Sequence, residues 1–255
     1  MEMTTIENIA EQYEAYIYNL AYQLAGQKEL ADDLAQETFI QAWKHLEQLQ
    51  EPAALKQWLR TICINQFKML LRKENRLQTV YTDNLEELER DGQLLVNIPA
   101  GIVDEVQSTE DVACMRNGCF LAMSRKLTIN QRLAFSLIDM FGLSIQEVAD
   151  LLDTTPKAAK GLLYRARMNL DSFFQDHCYF LNTENPCRCT AWIEFFRTRD
   201  KLQQTMQETI LDYKANDYTF DAQVRQKVAY YYQHIPEQTP DAAWYETVIA
   251  QFSHS

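Results

Sequence analysis

Positively charged side chains are concentrated in one short stretch of an otherwise acidic chain. The segment TTPKAAKGLLYRARMNL, residues 154–170, has two lysines, two arginines and no carboxylate, whereas the 255-residue chain carries a formal net charge of −12. At about 100° per residue a helix here has a basic face and an apolar face. The basic face consists of Lys157, Lys160, Tyr164 and Arg167, with Arg165 at its flank; the apolar face consists of Ala159, Leu163, Ala166 and Leu170. Such a helix can approach DNA phosphates, which a carboxylate would repel, although a solvated basic face has the same composition.

The residues before this stretch predict a partner helix. Ser144 and Glu147 have the spacing of a capping box, so a helix should begin at Ile145. Thr155 and Pro156 then supply an N-cap and a proline at the first position of the next helix. Two short helices joined by a tight turn are typical of a helix-turn-helix, whose second helix reads the major groove. The pair therefore predicts DNA binding.

A second basic segment, LKQWLRTICINQFKMLLRKENR, covers residues 55–76. It has six cations against one acid, Glu74, and it includes Trp58 and Phe67. Aromatic rings beside cations can stack unpaired bases while the charges hold the backbone. However, Trp58 keeps helical spacing with other apolar residues, which favours core packing for its ring.

The segment ELADDLAQETFIQAWKHL, residues 29–46, predicts another helix. Its core face consists of Ala31, Ala35, Phe39, Ala42 and Leu46. A separate, mostly polar face consists of Asp33, Gln36, Glu37 and Ile40. Polar residues around one apolar residue suit a protein partner, but a plain solvent face would look similar.

Composition and breakers predict an all-α fold of two small helical domains. Six glycines and six prolines are few for this length, and no run of eighteen apolar residues suggests a membrane span. The acidic N-terminus has no signal-peptide pattern, so we expect a cytoplasmic protein. The expected divisions are a domain over 1–76, an acidic linker over 77–115, a helix-turn-helix domain over 116–176, a Cys/His segment over 177–190 and a helical extension over 191–255. The linker could equally be an ordinary solvated loop.

Three of these blocks, in this order, resemble bacterial RNA polymerase sigma factors of the extracytoplasmic-function type. DDLAQETFIQAWKHL is similar to the family segment that grips the clamp helices of the polymerase β′ subunit. WLRTICINQFKMLLRK resembles the promoter-melting segment (sigma region 2), and LSIQEVADLLDTTPKAAKGLLYRARMNL resembles the minus-thirty-five segment (sigma region 4). The resemblance covers roughly residues 6–76 and 120–174. It implies a factor that brings core polymerase to promoters by binding alone, without catalysis and without a required cofactor.

The resemblance also implies roles for individual residues. Asp33, Gln36, Glu37 and Ile40 would contact the β′ clamp helices, and the second domain would meet the β flap. Asn65 would read a minus-ten base, while the backbone of the melted strand would be held by Lys68, Arg72 and Lys73. Lys160, Tyr164 and Arg165 match family positions that face the minus-thirty-five element. Arg132 matches a family position that contacts a DNA phosphate. Gly161 and Leu162 depart from the serine and arginine that the family often carries.

The acidic linker is expected to thread a positively charged channel of the polymerase. Its carboxylates would mimic nucleic acid there, and the residues that carry this expectation are Asp83, Glu86, Glu87, Glu89 and Asp91. The charge run is also consistent with a solvated loop.

The segment DHCYFLNTENPCRCTAW contains candidate metal ligands. His177, Cys178, Cys187 and Cys189 could bind zinc, although their spacing matches no standard zinc finger and the adjacent His177 and Cys178 would strain a shared site. Ordinary reduced cysteines and a redox pair are the alternatives.

The extension that follows predicts amphipathic helices, one of them starting at Thr239-Pro240 and carrying Trp244, Val248 and Phe252 at near-helical spacing. It could restrain DNA or polymerase binding, recognise an anti-sigma factor, or act as a structural cap.

Two other function classes compete with the sigma-factor interpretation. A stand-alone helix-turn-helix regulator would bind duplex DNA without polymerase. An enzyme is disfavoured, because the sequence has no Gly-rich phosphate loop and no Cys-x-x-Cys motif.

Overall fold

The computed structural model describes residues 6–49, 51–77, 102–185, 187–190, 193, 211–215 and 217–253. The helices in these ranges are α1 (Ile6–Ala25), α2 (Lys28–Lys44), α3 (Leu55–Leu77), α4 (Ile102–Arg125), α5 (Ile129–Phe135), α6 (Ile145–Leu151), α7 (Pro156–His177), α8 (Ala222–Gln233) and α9 (Ala242–Ser253). Short 3-10 turns lie between α2 and α3, and a π-helical turn, Ser136–Met140, follows α5. Within the described ranges there is no strand, only an isolated bridge between Cys178 and Cys187. The all-α prediction is confirmed.

The helix-turn-helix is built by the caps that the sequence predicts. The Ser144 hydroxyl accepts from the Glu147 amide, and the Glu147 carboxylate accepts in return from the Ser144 amide at 2.9 Å. The Thr155 hydroxyl accepts from the Ala158 amide at 3.2 Å at the start of α7. Each cap satisfies an amide that the first helical turn would leave unpaired, so both helices begin where the sequence places them.

The chain forms two compact units, and its C-terminal residues are shared between them. The first unit contains residues 1–78 and 236–255, and the second contains residues 79–235. Of the helices in the expected extension over 191–255, α8 belongs to the second unit and α9 to the first. Each helix buries its own apolar stripe, with Val224, Val228 and Tyr232 on α8 and Val248 and Phe252 on α9.

The first unit packs α1, α2 and α3 around one core. Gly26, at φ 72°, makes the tight left-handed turn between α1 and α2, a conformation that favours glycine. The predicted core face of α2 is confirmed, since Ala31, Ala35, Phe39 and Ala42 are all buried. Leu46 instead lies in a 3-10 turn beyond the end of α2 and is only half-buried.

Helix α9 completes the first unit through an aromatic anchor. The Trp244 Nε1–H donates to the carbonyl of Asp32 at 3.1 Å, and its ring meets the Tyr18 ring edge-on at 5.5 Å. Tyr18 in turn donates to the Asp32 carboxylate at 2.6 Å, and burial together with this hydrogen bond raises the pKa of Tyr18. Phe252 packs against Trp43 with ring centroids 5.8 Å apart. Helix α9 is thus fastened along one flank of α2.

The second unit surrounds an aromatic core to which α8 contributes. Tyr232 is buried, and its hydroxyl donates to the Phe120 carbonyl at 2.7 Å. The Phe120 ring stacks on Phe174 at 4.1 Å, and Phe135 meets Tyr232 edge-on at 4.7 Å. Because one ring of this cluster comes from α8, the helix is part of the core of the helix-turn-helix unit.

Helix α4 begins inside the segment that the sequence assigned to a linker. Its first residue is Ile102, whereas the expected linker ran to residue 115. Pro99 and Gly101 precede that start, and acidic residues at 104 and 105 suit the positive end of a helix dipole. The acidic residues expected to thread a polymerase channel, at positions 83–91, lie outside the described residues. No described helix combines the length and apolar character needed to cross a membrane.

Candidate nucleic-acid interface

The N-terminal half of α7 presents a basic surface with no carboxylate. Lys157, Lys160, Tyr164 and Arg165 are all exposed, and Tyr164 keeps 57% of its surface accessible. The opposite face, predicted as core, is buried at each of its four positions, which are Ala159, Leu163, Ala166 and Leu170. The turn before α7 uses Asp153 at φ 51°, a left-handed conformation that Asp tolerates better than most residues. Helix α7 thus packs into the second unit through its apolar face, and three cations and an aromatic ring on its opposite face are accessible to a ligand.

Gly161 lies beside one of these cations. A Cβ atom at this position would lie 3.4 Å from Nη1 of Arg165, so the guanidinium rests against the bare helix backbone. This is one of the two positions where the sequence departs from the sigma-factor pattern. An alanine here would add an ordinary contact with the Arg165 side chain and would not exclude it.

Arg167 does not contribute to the basic surface. Its guanidinium grips Asp139 of the π-helical turn, with Nη2 at 2.6 Å from Oδ1 and Nε at 3.0 Å from Oδ2. The hydrogen bond to Asp139 raises the pKa of Arg167. The prediction that Arg167 faces DNA is corrected accordingly, because a bidentate carboxylate neutralises it.

A second arginine, from α8, extends this pair into a buried network. Arg225 donates to Asp171 at 3.1 Å and to Asp139 at 3.4 Å. Asp171 lies in the C-terminal half of α7 with no exposed surface, and burial raises its pKa to about 7 although Arg225 opposes the shift. Helix α8 thus supplies charge compensation to the helix that carries the basic surface.

Arg132 also lies away from the surface. It is only 5% exposed, among the buried residues of α5. A phosphate could not reach it in this arrangement, so the expected phosphate contact at Arg132 is not supported. Sequence position alone could not show this, because α5 is short and is surrounded by other helices.

Helix α3 carries the residues expected at the minus-ten element. Asn65 is exposed near the middle of the helix, and Lys68 is half-buried. Arg72 and Lys73 lie in the helix, but their side chains are outside the described residues. Met69, one turn after Asn65, is 60% exposed, and sequence reasoning missed it; a long apolar residue among basic ones was the available signal.

The face of α2 expected to meet polymerase is partly accessible. Asp33 is exposed, whereas Gln36, Glu37 and Ile40 are half-buried. The Glu37 carboxylate accepts from the Gln41 side chain at 2.6 Å, within the same helix. Helix α9 contacts α2 at Asp32 and Trp43, beside this face, and Asp33 stays exposed.

The Cys/His segment is arranged differently from the predicted ligand set. The ring of His177 stacks on Phe173 at 4.7 Å, and its Nδ1 lies 3.0 Å from the Phe173 carbonyl oxygen. Cys119 of α4, which the sequence did not suggest, interacts electrostatically with Cys178, Cys187 and Cys189. Burial raises the pKa of the Cys189 thiol to about 12 and that of Cys119 well above its usual range. Among the described residues, no group of three or more His, Cys, Asp or Glu side chains is placed to hold a metal ion.

Comparison with known proteins matches both units to one family. The family profile Sigma-70 region 2 covers residues 9–77, and Sigma-70, region 4 covers residues 117–170. The chain is 28% identical over 176 residues to the ECF RNA polymerase sigma factor SigE of Mycolicibacterium smegmatis, a match that covers 69% of this chain and 63% of that protein. It is 25% identical over 170 residues to the ECF RNA polymerase sigma factor SigM of Bacillus subtilis, covering 67% of this chain and 95% of that protein.

A solved structure also matches the chain. This is the sigma factor RpoE of Bartonella quintana in complex with the anti-sigma factor NepR, at 23% identity and a TM-score of 0.47, over 66% of this chain and 95% of that one. The residues after position 170 lie beyond both family profiles. From the two profiles in their sigma-factor order and the curated relatives, the chain belongs to the extracytoplasmic-function sigma factors of bacterial RNA polymerase, with a C-terminal extension.

Proposed function

We propose that the chain recruits core RNA polymerase to specific promoters and stabilises the melted minus-ten region, which starts transcription. The observation that carries this proposal is the carboxylate-free surface of α7, in which Lys157, Lys160 and Arg165 stand exposed around Tyr164. Exposed cations hold phosphates, and exposed polar or aromatic side chains among them read base edges in the major groove. The action is binding and positioning, so it needs no cofactor and no covalent step. Because promoter DNA and polymerase lie in the bacterial cytoplasm, we place the protein there.

The minus-ten contact is assigned to α3. The exposed Asn65 can both donate and accept hydrogen bonds, which suits the edge of a flipped base. Lys68, Arg72 and Lys73 supply positive charge along the same helix for the strand backbone. The exposed Met69, one turn beyond Asn65, is an apolar surface against which an unstacked base can rest.

The polymerase contact is assigned to the face of α2 that contains Asp33, Gln36, Glu37 and Ile40. Asp33 supplies an exposed charge and Ile40 an apolar centre, which is the composition of a small protein interface. The partner surface would be the β′ clamp helices, and the second unit would meet the β flap.

The extension is proposed to act as a structural part of each unit. Helix α8 provides a ring of the second unit's core and compensates Asp171, while α9 anchors on α2 through Trp244. With both helices in place, Asp33, Asn65 and the basic surface of α7 remain exposed. An extension that blocked DNA or polymerase binding would bury these surfaces. Their exposure therefore favours a structural role for α8 and α9 over a role in blocking binding.

Transcription with purified components tests the proposal. The full chain should co-purify with core polymerase and direct transcription from genomic templates. An Asn65→Ala variant should still bind core polymerase but lower open-complex formation by about tenfold, since one base contact is worth about 1–3 kcal/mol. Gln57→Ala, another exposed amide on α3, is the matched control.

Two further variants separate the remaining contacts. Asp33→Ala should weaken core binding, whereas Lys160→Ala with Arg165→Ala should weaken promoter binding and reduce its salt dependence. Lys214→Ala, an exposed charge elsewhere in the second unit, is the control. Tight promoter binding by the free chain, unchanged by adding polymerase, would instead support a stand-alone regulator.

A further inference from the structure

Two cysteines are paired where the chain turns back after α7. Cys178 follows the last residue of α7, and its backbone forms an isolated parallel bridge with that of Cys187. The Tyr179 amide donates to the Cys187 carbonyl at 3.2 Å, and this hydrogen bond holds the two backbones together. Residues paired across a parallel bridge are one strand spacing apart, about 4.8 Å, and their side chains lie on the same face. The bridge therefore places the two thiols beside each other.

This backbone separation suits a disulfide bond. The α-carbons of a disulfide usually lie about 4.4–6.8 Å apart, and a strand spacing of about 4.8 Å falls within that range. Both Cys178 and Cys187 are in the reduced form and only half-buried, so a small oxidant can reach them.

Neighbouring residues hold the turn in place around the pair. The Asn185 side-chain amide donates to the carbonyl of Gln175 at 2.7 Å and to that of Cys178 at 3.3 Å. From α8, the Lys227 ammonium donates to the Leu181 carbonyl at 3.2 Å. Because these contacts do not involve the thiols, the turn is formed in the reduced chain, and closing a disulfide requires little movement of its backbone.

We propose that Cys178 and Cys187 form a reversible disulfide that locks the turn after α7 under oxidising conditions. The oxidant is a low-molecular-weight disulfide. One cysteine thiolate attacks it and releases one small thiol; the second cysteine then attacks the mixed disulfide and releases the other small thiol. The pair thereby loses two protons and two electrons, which the oxidant takes up as its two thiols. In a reducing compartment such a bond is transient, so it responds to redox conditions, and the inference does not rest on the promoter assignments.

Oxidation of the full chain with oxidised glutathione tests the pair. Reduced protein is treated in the presence of a metal chelator, the remaining thiols are alkylated, and the chain is cut with trypsin. Cleavage after Arg167 and Arg188 leaves both paired cysteines in one peptide, residues 168–188, and Cys189 in the next. The proposed disulfide therefore makes peptide 168–188 lighter by two hydrogen atoms and blocks its alkylation. Because burial raises the pKa of the Cys178 thiol, the exchange should be slow and is followed over hours.

Matched variants and a stability measurement complete the test. Closing the ten-residue loop 178–187 should lower the unfolding equilibrium constant of the second unit by about a hundredfold, as measured by urea unfolding of the oxidised and the reduced chain. Cys187→Ser should abolish both the disulfide and this stabilisation. Cys114→Ser, at an exposed position of α4, and Cys189→Ser should change neither. The inference is overturned if peptide 168–188 stays reduced, if a disulfide joins it to another peptide instead, or if oxidation does not stabilise the unit.

Discussion

Replacing Arg225 by Met should destabilise the helix-turn-helix unit although the residue lies far along the chain from the basic surface. Arg225 forms an ion pair with Asp171, a carboxylate with no exposed surface, at 3.1 Å. Removing one partner of a buried pair costs about 3–5 kcal/mol, because the remaining charge is left without compensation. The charge of Asp139 would stay compensated, because this carboxylate keeps its bidentate contact with Arg167.

The pKa of Asp171 sets how this loss depends on pH. Burial raises that pKa from 3.8 to about 7 in the folded chain, a shift worth about 4 kcal/mol. A raised carboxyl pKa means that the folded state binds the proton more tightly than the unfolded state. The stabilisation that this proton binding gives the folded chain is complete below the pKa of Asp171 in the unfolded state. It is lost as pH rises through the folded-state pKa of about 7. Without Arg225 the pKa of Asp171 rises further, so the Arg225→Met variant goes on losing stability at pH values where the unaltered chain no longer does. The difference in stability between the two proteins should therefore be larger at about pH 8 than at about pH 6.

Urea unfolding followed by circular dichroism, together with amide exchange in α7 peptides, measures this effect at both pH values. Lys214→Met controls for removal of an exposed cation in the same unit. Adding Asp171→Asn to the Arg225→Met variant removes the stranded charge and should restore a large part of the stability. Equal losses at the two pH values, or no rescue by Asp171→Asn, would refute the buried-charge reasoning.

Three other variants test separate parts of the structure. Trp244→Ala should destabilise the first unit by about 2–3 kcal/mol, somewhat less than the loss of a fully buried ring, and should speed amide exchange in α2. The control Glu246→Ala, at an exposed position of the same helix, should change neither the stability nor the exchange. Thr155→Ala should lower stability by about 1 kcal/mol through loss of the α7 cap and weaken promoter binding in parallel, as measured by urea unfolding and DNA titration. Gly161→Ala should raise the stability of the second unit by up to about 1 kcal/mol, because alanine favours a helix and the added methyl would meet Arg165 only at an ordinary contact distance of 3.4 Å; a loss of stability in urea unfolding would contradict this.

Local features of the sequence were sufficient for the helix-turn-helix. The Ser144 and Thr155 caps act within three residues, and the apolar stripe of α7 repeats every three or four residues. Both are readable because the hydrogen bonds and the periodicity they depend on are short-range. The same holds for the core face of α2 and the start of α3 at Leu55.

Contacts between distant residues could not be read in this way. Arg167 has the spacing of a DNA-facing cation, but Asp139, which lies 28 residues earlier, neutralises it. Cys119 of α4 interacts electrostatically with the cysteines of the later segment, whereas the ring of His177, which adjoins them in the sequence, stacks on Phe173. The sequence of the extension predicts several amphipathic helices, but it does not show that α8 and α9 belong to different units.

The sequence by itself determined the helices, their caps, the basic surface of α7 and the sigma-factor family, since each depends on residue type and on spacing within one or two helical turns. Only the tertiary structure decided which cations stay free, which cysteines meet and where the C-terminal helices pack. The physical reason is that charge pairing, burial and thiol proximity depend on distances between helices, which periodicity along one helix does not encode.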